Sequence, residues 1–140
     1  MIELVTDRTE SDVLLNNEKG RYKYSDLNRV EKAVSELCQL AKKLDIHPGL
    51  TTKTNWSAPC AFSVKTWPTE SQMQRYIQNV HRLCDCFDLA LPLPKSMAQL
   101  NWEGANNIEK ALYHVYVRAQ SILNTFYYSG ELFAGEENVL

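Results

Sequence analysis

Ser25-Asp26-Leu27-Asn28-Arg29-Val30-Glu31-Lys32-Ala33-Val34-Ser35-Glu36-Leu37-Cys38-Gln39-Leu40-Ala41-Lys42-Lys43-Leu44 is the stretch on which the fold turns. Leu27, Val30, Val34, Leu37, Ala41 and Leu44 recur at alternating spacings of three and four, an unbroken apolar stripe at helical period. Ser25 suits an N-cap, and Asp26 falls in the first turn, where the helix dipole favours a carboxylate. Arg29, Glu31, Lys32, Glu36, Lys42 and Lys43 lie elsewhere on the circumference and read as the solvated side. A helix from about Ser25 to Leu44 spans about 30 Å at ~1.5 Å per residue. His47-Pro48-Gly49 stops it.

Two more stripes follow. Thr69 and Gln72 have capping-box spacing, and Met73, Tyr76, Ile77, Val80, Leu83, Cys84 and Phe87 then share one face. Pro92 and Pro94 terminate this second long helix and make a stiff, extended crossing. A third helix begins near Asn101 or Trp102 and carries Ala105, Ile108, Leu112, Val115, Ala119, Ile122 and Phe126. Upstream, Thr9-Glu10-Ser11-Asp12 suits the start of a short helix that Asn16, Asn17 and Gly20 close. Residues 46 to 68 have no helical pattern. Leu50 to Trp56 and Cys60 to Trp67 are rich in β-formers, and Ser57-Ala58-Pro59 separates them, so a small hairpin lying across the helices is expected.

The predicted fold is therefore all-α: an antiparallel three-helix bundle with a short N-terminal helix and a minor β-hairpin element. The 140 residues, 44% of them hydrophobic, form a single helical domain over 1–140. Residues 127–140 form an aromatic, Gly-containing C-terminal tail, read as too Gly-broken for helix.

Fifteen basic residues against seventeen acidic ones, with a pI near 5.9, exclude the basic footprint of a nucleic-acid or anionic-lipid binder. No apolar run reaches the ~20 residues of a membrane span, and Met1-Ile2-Glu3-Leu4 lacks the start of a secretion signal. A chain not secreted by a signal peptide, in a reducing cytoplasm, is expected.

The candidate chemistry is sparse. Among Cys38, Cys60, Cys84 and Cys86, the run His81-x-x-Cys84-x-Cys86 has the residue types of a metal site, but on a helix Cys84 and Cys86 diverge by roughly 200°, and no second Cys-x-x-Cys pair completes a tetrahedron. Buried or incidental thiols are the expected outcome, with no metal and no cofactor. His47, His81 and His114 are scattered, and there is no phosphate loop, nucleophile elbow or His-Glu-x-x-His pair. Glu103, Glu109 and Lys110 read as ordinary helix-surface charges, and the chain is not expected to be an enzyme. Asn28, Asn106 and Asn107, at or near helix starts, are of a type that satisfies free backbone groups.

The aromatic residues admit two readings. They cap the open ends of a small bundle, or they anchor a partner. On the second reading the partner-binding residues are Tyr22, Tyr24, Trp56, Trp67, Tyr128, Leu132 and Phe133.

Taken as a set, several segments resemble a known family. Thr6-Asp7-Arg8-Thr9, Tyr22-Lys23-Tyr24-Ser25-Asp26-Leu27-Asn28-Arg29-Val30-Glu31, Thr52-Lys53-Thr54-Asn55-Trp56, Pro68-Thr69-Glu70-Ser71-Gln72-Met73-Gln74-Arg75-Tyr76, Ala105-Asn106-Asn107-Ile108-Glu109-Lys110 and Tyr128-Ser129-Gly130-Glu131-Leu132-Phe133-Ala134-Gly135-Glu136 are similar, in order, to motifs of small tail-module proteins of phages and prophages of Gram-positive bacteria. The chain departs from those motifs at Asn55 and Asn107, where the family pattern is acidic, and in a longer segment from Ser57 to Thr66. The resemblance implies a non-enzymatic structural or adaptor protein of a tail fibre or baseplate. Its partners are then other tail proteins or its own copies, with no nucleic acid and no membrane span, and a homo-oligomer is allowed. Its location is then the virion tail or the host cytoplasm. A cytosolic regulatory protein or tail-assembly helper encoded beside tail genes is the alternative.

Overall fold

Each of the first three helices ends where an Asn or Asp takes up the left-handed conformation: Asn16 (φ 52°), Asp45 (φ 60°) and Asp88 (φ 55°). In each case the amide one residue further on reaches back five residues, from Asn17 to the Asp12 carbonyl, Ile46 to Ala41 and Leu89 to Cys84. This is the Schellman closure, with Asn or Asp in the place glycine usually takes. The computed structural model describes residues 2–58, 60 and 67–133, with backbone alone for 126–133. Among these it forms α1 (Glu10–Leu14), α2 (Tyr24–Lys43), α3 (Glu70–Cys86) and α4 (Trp102–Phe133), and no strand. The chain is all-α.

The helix ends correct three expectations. α2 starts before Ser25, because Asp26 accepts the Lys23 amide at 2.8 Å and makes Lys23 the cap position. It stops at Asp45, ahead of His47-Pro48-Gly49, and α3 stops at Asp88, ahead of Pro92 and Pro94. The capping boxes of Thr9 with Asp12 and of Thr69 with Gln72 form as their spacing indicates. Asn101 caps α4 by accepting the Gly104 amide at 2.7 Å.

The three long helices pack pairwise on one another, and they point the same way. Near their starts, Arg29 of α2 meets Glu109 of α4 and Glu31 of α2 meets Arg75 of α3. Near their ends, Leu40 and Lys43 of α2 line one hollow with Tyr116 and Gln120 of α4. There too, Arg118 of α4 donates to the Phe87 carbonyl that caps α3, at 2.8 Å. The expected antiparallel arrangement is thus replaced by a parallel one. The connections permit it: residues 87–101, extended at ~3.3 Å per residue, reach about 45 Å, well beyond the ~25 Å length of α3.

Parallel helices require the chain to return along the bundle, and it does so as extended straps in the grooves. Residues 2–8 run against the direction of α2 and α4: Ile2 lies beside Leu40 and Tyr116, Val5 bonds Glu109 and Arg8 bonds Asn106. Residues 50–56 run back over α2 and α3, with Thr51 at Arg75 and Asn79, Lys53 at Glu31 and Trp56 at Asn28. Residues 89–100 return from α3 to α4, with the Pro94 carbonyl accepting from His81 Nε2 at 2.9 Å. The first half of the expected hairpin is therefore a strap, because its polar backbone atoms are taken by side chains of α2 and α3. The second half, at residues 61–66, and the intervening Pro59 lie outside the described residues.

The core follows the three stripes. Val30, Val34, Leu37, Ile77, Val80, Leu83, Ile108, Leu112, Val115 and Ala119 are almost wholly buried. The α4 stripe departs from expectation at Ile122, which is 40% exposed, since α2 and α3 have both ended by that level. α4 nevertheless continues as helix through Gly130 to Phe133, so residues 127–133 are not the non-helical tail that the glycine suggests. One interior glycine costs only ~1 kcal/mol relative to alanine, and extending an existing helix avoids the nucleation cost. Residues 134–140 lie outside the described residues.

Leu112 has no exposed surface and sits midway along the bundled part of α4. Leu112→Ala is expected to lower the unfolding free energy by about 2–5 kcal/mol, read from urea denaturation. A change under ~0.5 kcal/mol would show that this stripe is not the core.

Candidate functional site

Glu109 has no exposed surface and Glu31 only 1%, although both were expected on the solvated side of their helices. Each follows one apolar stripe position by four residues and precedes another by three: Leu27 and Val34 for Glu31, Ala105 and Leu112 for Glu109. That spacing puts a side chain on the buried face. It was the available signal that these carboxylates point inward.

Burying a carboxylate costs several kcal/mol unless its oxygens are filled. Those of Glu109 accept four hydrogen bonds: from the Val5 amide (2.9 Å), Arg8 Nη2 (2.7 Å), Arg29 Nε (2.8 Å) and Arg29 Nη2 (2.7 Å). Asp26 completes the cluster, accepting from Arg29 Nη2 at 2.7 Å and from Arg8 Nη2 at 3.5 Å. Two guanidinium groups and two carboxylates leave the cluster neutral. Burial pulls the Arg29 guanidinium down, but its bonds to Glu109 and Asp26 outweigh that and hold it above its ordinary value. Asn106 then fixes the first strap at two points, accepting the Arg8 amide at 3.0 Å and donating to the Arg8 carbonyl at 2.9 Å.

Glu31 repeats the design on the other side of α2. It accepts from Arg75 Nη1 (2.7 Å) and Nη2 (2.8 Å), the Trp56 indole (2.7 Å) and the Lys53 amide (3.1 Å). Its hydrogen bonds hold the Arg75 guanidinium above its ordinary value. Asn28 pairs with Trp56 as Asn106 does with Arg8, accepting its amide at 2.7 Å and donating to its carbonyl at 2.8 Å. The expectation that these asparagines satisfy backbone groups is met at Asn28 and Asn106, on distant strap residues rather than on their own helix ends.

Above this framework, the starts of α2 and α3 and the segment 96–100 that leads into α4 surround a cleft of ≈ 850 Å³. Its lining includes Tyr24 and Leu27 of α2, Met73 of α3, Trp67, Met97 and Leu100. Four of the seven residues singled out from the sequence, Tyr22, Tyr24, Trp56 and Trp67, border it together. They are not equivalent. Trp56 is 7% exposed and belongs to the floor, with Lys53 Nζ 4.8 Å from its ring centre. Tyr22 is half-buried, its hydroxyl bonded to that of Tyr76 and its ring 5.4 Å from the Arg8 guanidinium carbon. Burial raises both phenols well above the ordinary tyrosine range, so both keep their protons. Tyr24 and Trp67, at 39% and 50% exposure, are the accessible rings. Tyr128, Leu132 and Phe133 fall on the far reach of α4, away from the cleft, and their side chains lie outside the described residues.

The sequence reading missed Met73, Met97 and Leu100 as cleft residues, because they meet only once the segment 96–100 is laid beside the starts of α2 and α3. The thiols are dispersed: Cys84 is buried and pushed up to about 11 by that burial, Cys38 and Cys86 are half-buried, and Cys60 is exposed. Among the described residues, no three His, Cys, Asp or Glu side chains converge as a metal site requires. No helix among them is long and apolar enough to cross a membrane. Compared with family models, curated proteins and solved structures, the chain matches none.

The two carboxylates should differ in what their removal costs. Glu109→Gln leaves Arg8, whose side chain is 3% exposed, in a buried cluster with one uncompensated positive charge, at an expected loss of about 3–5 kcal/mol. Glu31→Gln leaves Arg75, whose side chain is 26% exposed and regains water, at an expected loss of about 1–3 kcal/mol. Urea unfolding of both variants checks the order; equal losses would contradict it.

Proposed function

We propose that this chain is a non-enzymatic structural or adaptor protein of a phage or prophage tail, fibre- or baseplate-associated, acting through protein–protein contacts. The observation that carries the reading is how its residues divide between framework and surface. The charged and amide side chains within the resembling motifs (Arg8, Asp26, Arg29, Glu31, Arg75, Asn106 and Glu109) are engaged with each other and with the straps. They serve architecture. Glu31 and Glu109 each have four donors on their oxygens, an arrangement that suits a structural ion pair and leaves no open position for proton transfer to a substrate. The accessible chemistry at the cleft is aromatic and apolar, from Tyr24, Trp67, Met73 and Met97, the composition of a contact surface.

The reading is tested by mass spectrometry of density-purified particles from a lysate in which the prophage carrying this gene is induced. The chain is expected in the particles in fixed ratio to the other tail proteins. Its presence in the lysate but absence from the particles would overturn the reading and leave the assembly-helper role.

A further inference from the structure

Dispersed as the four thiols are along the chain, two of them lie on faces that meet in the fold. Glu31 of α2 and Arg75 of α3 are bonded across the groove between those helices. Cys38 stands seven residues beyond Glu31, two turns on and on the same face of α2. Arg75 and Asn79 both donate to the Thr51 carbonyl, so they share one face of α3. Cys86 stands seven residues beyond Asn79 on that face. The levels agree as well. Leu40 of α2 lies beside Tyr116 of α4, and Arg118 of α4 reaches Phe87, so Cys38 and Cys86 are offset along the bundle by about one turn. Both side chains are half-buried and pack against the core. Burial pushes the Cys38 thiol above its ordinary value, Lys42 draws it back, and the nearby Cys86 adds to the rise.

We infer that Cys38 and Cys86 are a redox pair, a dithiol in a reducing compartment and a disulfide in an oxidising one, which staples the ends of α2 and α3. Helix axes ~8–10 Å apart, with Cα atoms ~2.3 Å off each axis and an offset of ~5.4 Å, put the two Cα atoms about 6–8 Å apart. A disulfide spans up to ~6.8 Å, so a shift of about 1 Å or less brings the sulfurs together. Cys86 is the last residue of α3, where a helix gives most readily. The step is thiol–disulfide exchange with a small disulfide such as oxidised glutathione. Cys86 lines an open hollow with Leu50, Asn79 and Arg82, where such a molecule has access. Its thiolate attacks one sulfur of the oxidant, whose S–S bond breaks and releases one glutathione. The Cys38 thiolate then attacks the Cys86 sulfur and the second glutathione leaves. The two thiol protons end on the two released glutathione molecules; the chain loses two electrons and the oxidant gains them. Cys84, 2% exposed on the core face, is kept out of the exchange by its burial. The bond depends on the fold and not on the tail reading, so its failure would leave that reading standing.

The test uses the full chain with the exposed Cys60 replaced by serine, so that this thiol takes no part. The folded protein is equilibrated in buffers of reduced and oxidised glutathione, its remaining thiols are blocked with iodoacetamide, and intact mass and peptide maps are recorded. In the oxidised buffer the chain is expected to lose two hydrogens, to yield one peptide in which Cys38 is joined to Cys86, and to melt several degrees higher than the reduced form. Added Cys38→Ser should halt the exchange at a glutathione adduct on Cys86, and added Cys86→Ser should give no disulfide within the chain. Serine is close to cysteine in size, and circular dichroism of both variants should match that of the reduced parent. A parent chain that keeps its thiols, or stops at the Cys86 adduct, in fully oxidised glutathione would overturn the inference. So would a bond that joins Cys86 to Cys84, or one that links two copies.

Discussion

The buried contact between Glu109 and its two arginines is the point from which the rest of the structure follows. It joins the first strap through Arg8 and Val5, α2 through Arg29, and α4 through Glu109 itself. Helices that run parallel cannot be linked by tight turns, so the chain must return along the grooves as extended backbone. Extended backbone away from a sheet has unpaired amides and carbonyls, which are costly to bury. Side chains of the helices satisfy them here: Glu109 and Asn106 for the first strap, Glu31, Asn28, Arg75 and Asn79 for the second, His81 for the third. The buried polar residues are thus the consequence of topology, and the neutral pairing of their charges is what makes their burial tolerable.

The apolar periods were legible in the sequence because a helix that buries one face must repeat at that spacing, and the stripes are buried where the pattern puts them as far as Ala119, beyond which Ile122 is exposed. Caps at Thr9 and Thr69 were legible for the same local reason. Helix direction was not, since a stripe reads identically from either end and only the connection distinguishes the cases. The length of residues 87–101 allowed a full return, and the expectation of antiparallel neighbours overlooked it. Strand propensity misled at Leu50 to Trp56, where β-forming side chains lie in a groove and the backbone finds side-chain partners in place of a second strand. Glycine misled at Gly130, because the cost of one glycine is small beside the gain of continuing a helix already formed.

The candidate site was legible in its residue types and not in its geometry. Tyr22, Tyr24, Trp56 and Trp67 are distant from Met97 and Leu100 in sequence, and the cleft exists only where the starts of α2 and α3 meet the segment 96–100. Within the group, burial separates floor from rim. Trp56 spends its indole hydrogen on Glu31 and holds a strap in place, whereas Tyr24 and Trp67 keep ring surface exposed for contact. One end of the molecule therefore offers a recess and the other a projecting helix, a polarity that follows directly from having all three long helices point the same way.

The most direct test of the account is the direction of the helices, measured by pulsed electron resonance between genetically encoded spin labels at exposed positions. A label at Ser25, at the start of α2, is paired in one sample with Glu103, at the start of α4, and in another with Ser121, beyond the end of α3. Parallel helices predict a short Ser25–Glu103 separation, set by an interaxial distance of ~8–10 Å plus the label arms. They predict a Ser25–Ser121 separation of about 30 Å, the length of α2. The reverse order, with Ser121 near and Glu103 far, would contradict the account.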